Sequence, residues 1–598
     1  MATEIDGIQI PFGDARQPKA LPLDHPKARW GGFKTETTIL RAGHVRRPGC
    51  LPLPCDIKFE RDQPVKLRDG VTIYVDVYRP VNESIAHPAL LAWSPYGKEP
   101  GRGNQVLDDF IFRMGVPLHK LSEFQRWEGP DPAYWVYHGF TVVNADPRGV
   151  YKSEGNIYQF GSQEGRDGAD CVDWIGSQPW CNGKVGLTGN SWLSISQWFI
   201  AAERPKYLAA ISPWEGVTDV FRHTSLGGVM SKPAMDFNLQ LLQVNVGENS
   251  WENTVEMITK SLQYGAYHED KRAKIENIDV PAYVTASWSN PIHSYGTFHG
   301  YVNLKSPKWL RVHDTWEWPD YYNEENRTDL HKYFDYYLKG IENDWPSTPR
   351  LRAKLIDTSK PVGNSGTDFT CLDFPSPKMK SFKLFLDAEN GSLTETYPVE
   401  STLSYVASTG SKSLTYTFSR DTKFCGPIQI CLQVSVENGT DTDIFVSLDR
   451  LPNGSDRPAE QLKIPYERSY QSGLIRMARM LNLSRELGLL FYKGPNGSAR
   501  LSRRTLREEI SRPGFPAPDL SQSKPVKEGQ IETVQVPITP MGMLFRAGDR
   551  LRVTFSGLDP AIFPPVDQST LQTADGDHVS TSVNKDVKVQ LHYLLYFA

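Results

Sequence analysis

One segment constrains this chain more than any other: Gly183-Lys184-Val185-Gly186-Leu187-Thr188-Gly189-Asn190-Ser191-Trp192-Leu193, an apolar run closing on a serine two residues after a glycine. It reads as a buried strand that turns sharply at Ser191 into a helix over 192–203, holding the hydroxyl at a tight corner. Such a corner strains the backbone at the serine and needs small neighbours two positions away, because strand and helix approach closely there. Gly189 meets that need. Two positions after Ser191 stands Leu193, not the second glycine of G-x-S-x-G, so the pattern is half complete. The competing reading is a serine that caps a helix after a buried strand.

With 598 residues the chain exceeds what one hydrophobic core organises, so two or three domains are expected. Lys and Arg total 66 against 70 Asp and Glu, a net charge of −4, which leaves no electrostatic funnel for nucleic acid. Pairs such as Arg46-Arg47 and Arg503-Arg504 read as solvated surface. The seven cysteines are odd in number and match no zinc spacing, and His268-Glu269 lacks the second histidine of H-E-x-x-H, so neither a disulfide framework nor a metal site is expected. No run of eighteen apolar residues occurs and the first residues carry no basic-then-apolar pattern. The expectation is a cytoplasmic protein with no membrane association.

From about residue 71 to 313, apolar strand-like runs at 71–78, 89–93, 141–145, 185–188, 209–212, 282–286 and 309–312 alternate with helical stretches, the signature of an α/β sheet covered on both faces. Between 219 and 279 the pattern turns helical, clearest at 235–244 and 251–262, and suggests a cap over the mouth of the sheet or padding on its flank. After an amphipathic helix at 326–339, short alternating strands take over at 381–386, 414–418, 428–434, 443–448, 533–538, 551–556 and 587–597. The expected architecture is an N-terminal extension (1–56), an α/β-hydrolase core with a mostly parallel doubly wound sheet in two parts (57–218 and 280–350), the helical cap (219–279) and an all-β jelly-roll sandwich (351–598).

A serine nucleophile needs a base, a group that orients the base, and donors for the oxyanion. In a parallel sheet these come from loops at the carboxyl ends of strands, in the order nucleophile, acid, histidine. The two late strands are followed by Asn290 and His313, which makes His313 the candidate base. His293, His299 and His223 are its competitors, and His293 lies near enough to Asn290 to be a pocket residue.

The motifs Ser94-Pro95-Tyr96-Gly97-Lys98, Ala145-Asp146-Pro147-Arg148-Gly149, Gly189-Asn190-Ser191-Trp192, Pro213-Trp214-Glu215-Gly216, Pro540-Met541-Gly542 and 545–552, taken in order, resemble the X-prolyl dipeptidyl peptidase-like hydrolases, the group that includes cocaine esterase, over nearly the full length. The resemblance implies that the Tyr96 hydroxyl joins the backbone N–H of Trp192 as the oxyanion hole. It also implies an aspartate where Trp288-Ser289-Asn290 places an asparagine. An amide lacks the charge that favours the correct imidazole tautomer, although an asparagine carbonyl orients the histidine in papain-like enzymes. Either Asn290 holds His313 directly, a carboxylate such as Asp314, Glu317 or Asp219 replaces it, or the site performs a reaction with less basic catalysis.

The leading expectation is therefore a serine esterase or amidase working through an acyl-enzyme, with no cofactor and a small-molecule substrate as partner. Trp214, Trp288, His293 and Trp316 are the expected pocket walls, suited to a bulky or apolar substrate. A homodimer is the oligomer to test. The alternative is a hydrolase fold repurposed for cyclisation or acyl transfer with little hydrolysis. A third reading, binding through the β-sandwich, follows from the use of jelly rolls in lectins.

Overall fold

The structure, a computed structural model, describes residues 2–13, 22–25, 30–229, 249–254, 257, 264–359, 367–376, 379–399, 401–465, 490–558, 588–592 and 595–597. Among the described residues its first large sheet has eleven strands. At its centre run parallel strands Thr141–Asp146, His87–Trp93, Cys181–Asn190, Leu208–Trp214, Ala282–Ser287, Lys308–His313 and Leu351–Leu355, in that spatial order. Antiparallel strands Thr72–Pro80, Ile57–Lys66 and Glu36–Leu40 extend one edge, and Thr367–Cys371 closes the other. The seven α/β strand candidates all form. Their near-continuous apolarity has a visible cause: Thr141–Asp146, Ala282–Ser287 and the last six residues of Cys181–Asn190 are buried at every position.

The chain runs from His87–Trp93 to Thr141–Asp146 on one side and then returns to Cys181–Asn190 on the other. Strand order thus reverses beside the serine strand, and a crevice at carboxyl strand ends is where an open α/β sheet binds ligands. Ser191, Glu215, Asn290 and the segment after His313 all follow carboxyl ends on this edge.

The sheet reaches further than the boundary at 350 implies. Leu351–Leu355 pairs in parallel with Lys308–His313, so the hydrolase sheet takes two strands that the sequence reading assigned to the β-sandwich. On the other edge, Glu36–Leu40 of the N-terminal extension joins the same sheet. In the region 219–279 the described helices are short, Val220–Thr224 and Ala266–Asp270. The expected helix at 235–244 lies outside the described residues, as does most of the one at 251–262.

The C-terminal region is all-β. Among the described residues eleven strands form a second sheet in which Thr422–Glu437 pairs with Glu532–Phe545, Lys588–His592 and Leu595–Phe597, so that the hydrogen-bonded order closes on itself. Alternation along Arg550–Ser556, with every second side chain buried, supplies its core. The two regions share a tight seam at Gly542, where a methyl group would come within 2.1 Å of the Trp288 ring.

Candidate active site

Ser191 sits between strand Cys181–Asn190 and helix Trp192–Ala202 with φ 53° and ψ −118°, a conformation an L-residue holds only when its surroundings impose it. Two backbone bonds impose it here: the Ser191 N–H faces the Glu215 carbonyl at 3.1 Å, and the Asn190 N–H donates to the Glu128 carbonyl at 3.1 Å. The half-complete glycine pattern also has a physical explanation. A methyl group on Gly189 (φ 134°) would lie 2.5 Å from Leu193 Cδ2, so Leu193 fills the space that Gly189 vacates. Close approach on the far side is supplied by Gly216, where a methyl group would meet Ser194 Oγ at 2.5 Å and Ile195 N at 2.7 Å.

Tyr96 is buried, and its hydroxyl hydrogen-bonds both the Ser191 side chain and the Trp192 backbone. Burial holds the phenol well above its usual range, so it stays a neutral donor. Its loop is pinned by the fully buried Arg126 guanidinium, which donates to the carbonyls of Ala92 (2.9 Å), Ala145 (2.7 Å) and Ser94 (2.7 Å). The Trp192 indole is anchored separately: Nε1 donates to Glu164 Oε1 at 2.8 Å and the ring packs 4.1 Å from Phe160.

The histidine facing the serine is His293. Its Nε2 lies 3.2 Å from Ser191 Oγ. Among the described residues Nδ1 is buried without a hydrogen-bond partner, and burial pushes the imidazole down to about 3. Asn290 positions this ring through the backbone: its Oδ1 accepts from Ile292 N (3.0 Å) and His293 N (3.2 Å), an Asx turn that opens helix Ser294–Asn303.

His313 engages a different set of groups. Its Nδ1 lies 3.2 Å from Thr315 Oγ1 and 3.4 Å from Thr315 N, and Nε2 lies 2.5 Å from Glu215 Oε1 and 3.5 Å from Asp320 Oδ2. The expected pairs Ser191–His313 and His313–Asn290 are therefore replaced in the structure by Ser191–His293 and His313–Glu215. The reason is geometric. His313 is still the last residue of its strand, paired in register with Ser287, whereas His293 stands at the start of a helix that runs back over the crevice.

Asn290 does have carboxylate neighbours. Its Nδ2 donates to Glu215 Oε2 and Glu317 Oε2, both at 2.8 Å. Glu215, Glu317 and Glu128 are buried, and desolvation raises all three well above the usual carboxylate range. Of the candidate acids, Glu317 joins this cluster, while Asp219 pairs with Arg222 and caps helix Val220–Thr224. Asp314 is buried beside His313.

The expected aromatic walls divide by environment. Trp214 is core, with Nε1 donating to Asp320 and the Arg311 guanidinium over its ring. Trp288 is the seam, stacked on Phe298 and donating to the Lys354 carbonyl at 2.7 Å. Trp316 stacks on Trp318, 5.6 Å away, and sits beside the glutamate cluster. His223 and His299 pack together elsewhere, with ring centroids 4.8 Å apart. Among the described residues no His, Cys, Asp or Glu grouping could hold a metal ion, and no helix is long and apolar enough to cross a membrane.

Residues 69–316 match the X-Pro dipeptidyl-peptidase (S15 family) model, and 343–593 match the X-Pro dipeptidyl-peptidase C-terminal non-catalytic domain. The chain belongs to the X-Pro dipeptidyl-peptidase-like family. Over 173 residues it is 32% identical to cocaine esterase from Rhodococcus sp. (strain MB1 Bresler), a segment that is 29% of this chain and 26% of that enzyme. The chain thus matches about a quarter of the length of such curated relatives. Two solved structures share the fold over at least 90% of the chain. A CocE/NonD family hydrolase from Staphylococcus aureus superposes with a TM-score of 0.80 at 24% identity, covering 95% of this chain and 97% of that one. An aminopeptidase from a marine sediment Thaumarchaeota archaeon superposes at 0.61 with 13% identity, covering 90% and 96%.

Proposed function

We propose that this X-Pro dipeptidyl-peptidase-like chain is a serine hydrolase that cleaves an ester or amide of a small apolar substrate through an acyl-enzyme. Ser191 Oγ attacks the carbonyl carbon. His293 Nε2 takes the hydroxyl proton and returns it to the leaving group, and the Tyr96 hydroxyl with the Trp192 N–H carries the oxyanion. The observation that carries this reading is the 3.2 Å contact between His293 Nε2 and Ser191 Oγ at a strained elbow. The serine esterase names among the relatives support it.

One observation favours the second reading, acyl transfer or cyclisation with weak hydrolysis. Among the described residues no carboxylate meets His293 Nδ1, so the imidazolium formed in the transition state lacks the stabilisation an acid supplies. A fluorophosphonate probe with intact-mass readout separates the two. Stoichiometric labelling of the wild type, abolished in Ser191→Ala and slowed by about a hundredfold or more in His293→Ala, supports the hydrolase. A folded wild-type protein that stays unlabelled overturns it.

A further inference from the structure

Lys463 belongs to the C-terminal domain, directly after strand Gln461–Leu462, yet it is 2% exposed and its ammonium lies 4.4 Å over the Trp316 ring. Its carbonyl accepts from Trp316 N at 2.9 Å and its N–H donates to Leu490 O at 2.8 Å. The peptide is therefore stitched to the turn that leads into Glu317. The carboxyl groups whose charge acts on the ammonium across this seam are Glu317 and Glu215. Glu128 acts on both glutamates, Asp320 and Arg311 act on Glu215, and His313 and Lys354 belong to the same charged neighbourhood. Two glutamates sharing one Asn290 amide nitrogen cannot both ionise in a buried site without a cation. Burial pushes the Lys463 ammonium down to about 7, against the opposing pull of both glutamates.

We propose that Lys463 is a positioning residue of the Ser191 site: its ammonium is the counter-charge that keeps the Glu215–Asn290–Glu317 bridge in one arrangement, and through Asn290 it fixes the Asx turn that aims His293. This rests on the hydrolase reading above and gives the C-terminal domain a share in the active site. Loss of the cation forces protonation of the bridge and frees Asn290 to rotate, which misplaces the His293 ring without removing any group that touches substrate.

The test uses the full chain, with Lys463→Met, Lys463→Arg, Glu317→Gln and the Met/Gln double variant. Fluorophosphonate labelling of Ser191 is followed from pH 5.5 to 9, and urea unfolding gives the stability cycle. Lys463→Met should label roughly tenfold slower at pH 6, where the ammonium is charged, with a changed pH profile, and Lys463→Arg should recover most of the rate. Removing the glutamate first should shrink the effect of the lysine substitution in both readouts. Wild-type labelling rate and profile in Lys463→Met, or strict additivity with Glu317→Gln in both readouts, overturns the inference. If the wild type is not labelled at all, the hydrolase reading fails, and the proposed Lys463–Glu317 coupling is decided by the unfolding cycle alone.

Discussion

Asn290 and Glu317 are joined by a 2.8 Å hydrogen bond, although they stand 27 positions apart on loops from neighbouring strands. The amide at the acid position is thus engaged with carboxylates, and the same residue's carbonyl oxygen starts the helix that carries His293. Replacing it affects two structures at once.

Asn290→Asp should lower stability without speeding the reaction. The substitution removes the Nδ2 donor shared by Glu215 and Glu317 and sets a third carboxyl group beside them, so buried acceptors lose their partner at a cost of about 1–3 kcal/mol. Urea denaturation together with turnover on aryl esters measures both effects. A faster and equally stable variant would show that Asn290 merely weakens an ordinary triad.

His293→Ala should slow Ser191 acylation by about a hundredfold to ten-thousandfold, the usual contribution of general base catalysis. His313→Ala should act mainly on stability, because it leaves Glu215 Oε1 facing an empty space. The order of the two labelling rates checks the assignment, and a larger loss of rate in His313→Ala would reverse it.

Tyr96→Phe removes one oxyanion donor while keeping the ring. Turnover should fall about a hundredfold to a thousandfold. The unfolding midpoint measured beside it should move little, since the ring stays packed against Trp192.

The pH profile follows from the sign of the His293 shift. Burial lowers this imidazole from about 6.5 to about 3, so it is already the neutral base throughout the neutral range. Folded protein should show no histidine inflection near pH 6.5 in its Ser191 labelling rate. The same shift destabilises the fold in acid: the unfolded state takes up the proton as pH falls below about 6.5, while the folded state resists until about 3. The stabilising difference is present above that upper value and is lost on the way down, at up to about 1.4 kcal/mol per pH unit for this group. Urea unfolding of wild type and His293→Gln at pH 7 and pH 5 isolates its share, and a stability gap independent of pH would contradict it.

Gly542→Ala should disrupt the seam between the two regions, because its new methyl group has no room beside Trp288. Overpacking of this kind costs about 1–3 kcal/mol, read by urea denaturation.

Local chemistry made much of this protein legible. Residues 183–193 specify their own strand, corner and helix, since apolar continuity, a glycine and a serine at that spacing permit little else, and the seven apolar runs of the sheet are strands for the same reason. The edges were less legible: Glu36–Leu40 and Leu351–Leu355 are short, and only pairing with a neighbour decides which sheet a short strand joins. The partner of Ser191 was a tertiary decision as well. His313 and His293 both follow the strand candidates at the right side of the crevice, and sequence distance favours neither, because a ring's reach depends on where the backbone turns. The Asx turn at Asn290 brings His293 back to the serine, Glu215 draws His313 away from it, and Lys463 arrives from a separate domain. The turn itself is local, but the meeting of His293 with Ser191, 102 positions away, and the placements of His313 and Lys463 result from packing that joins residues far apart in the chain.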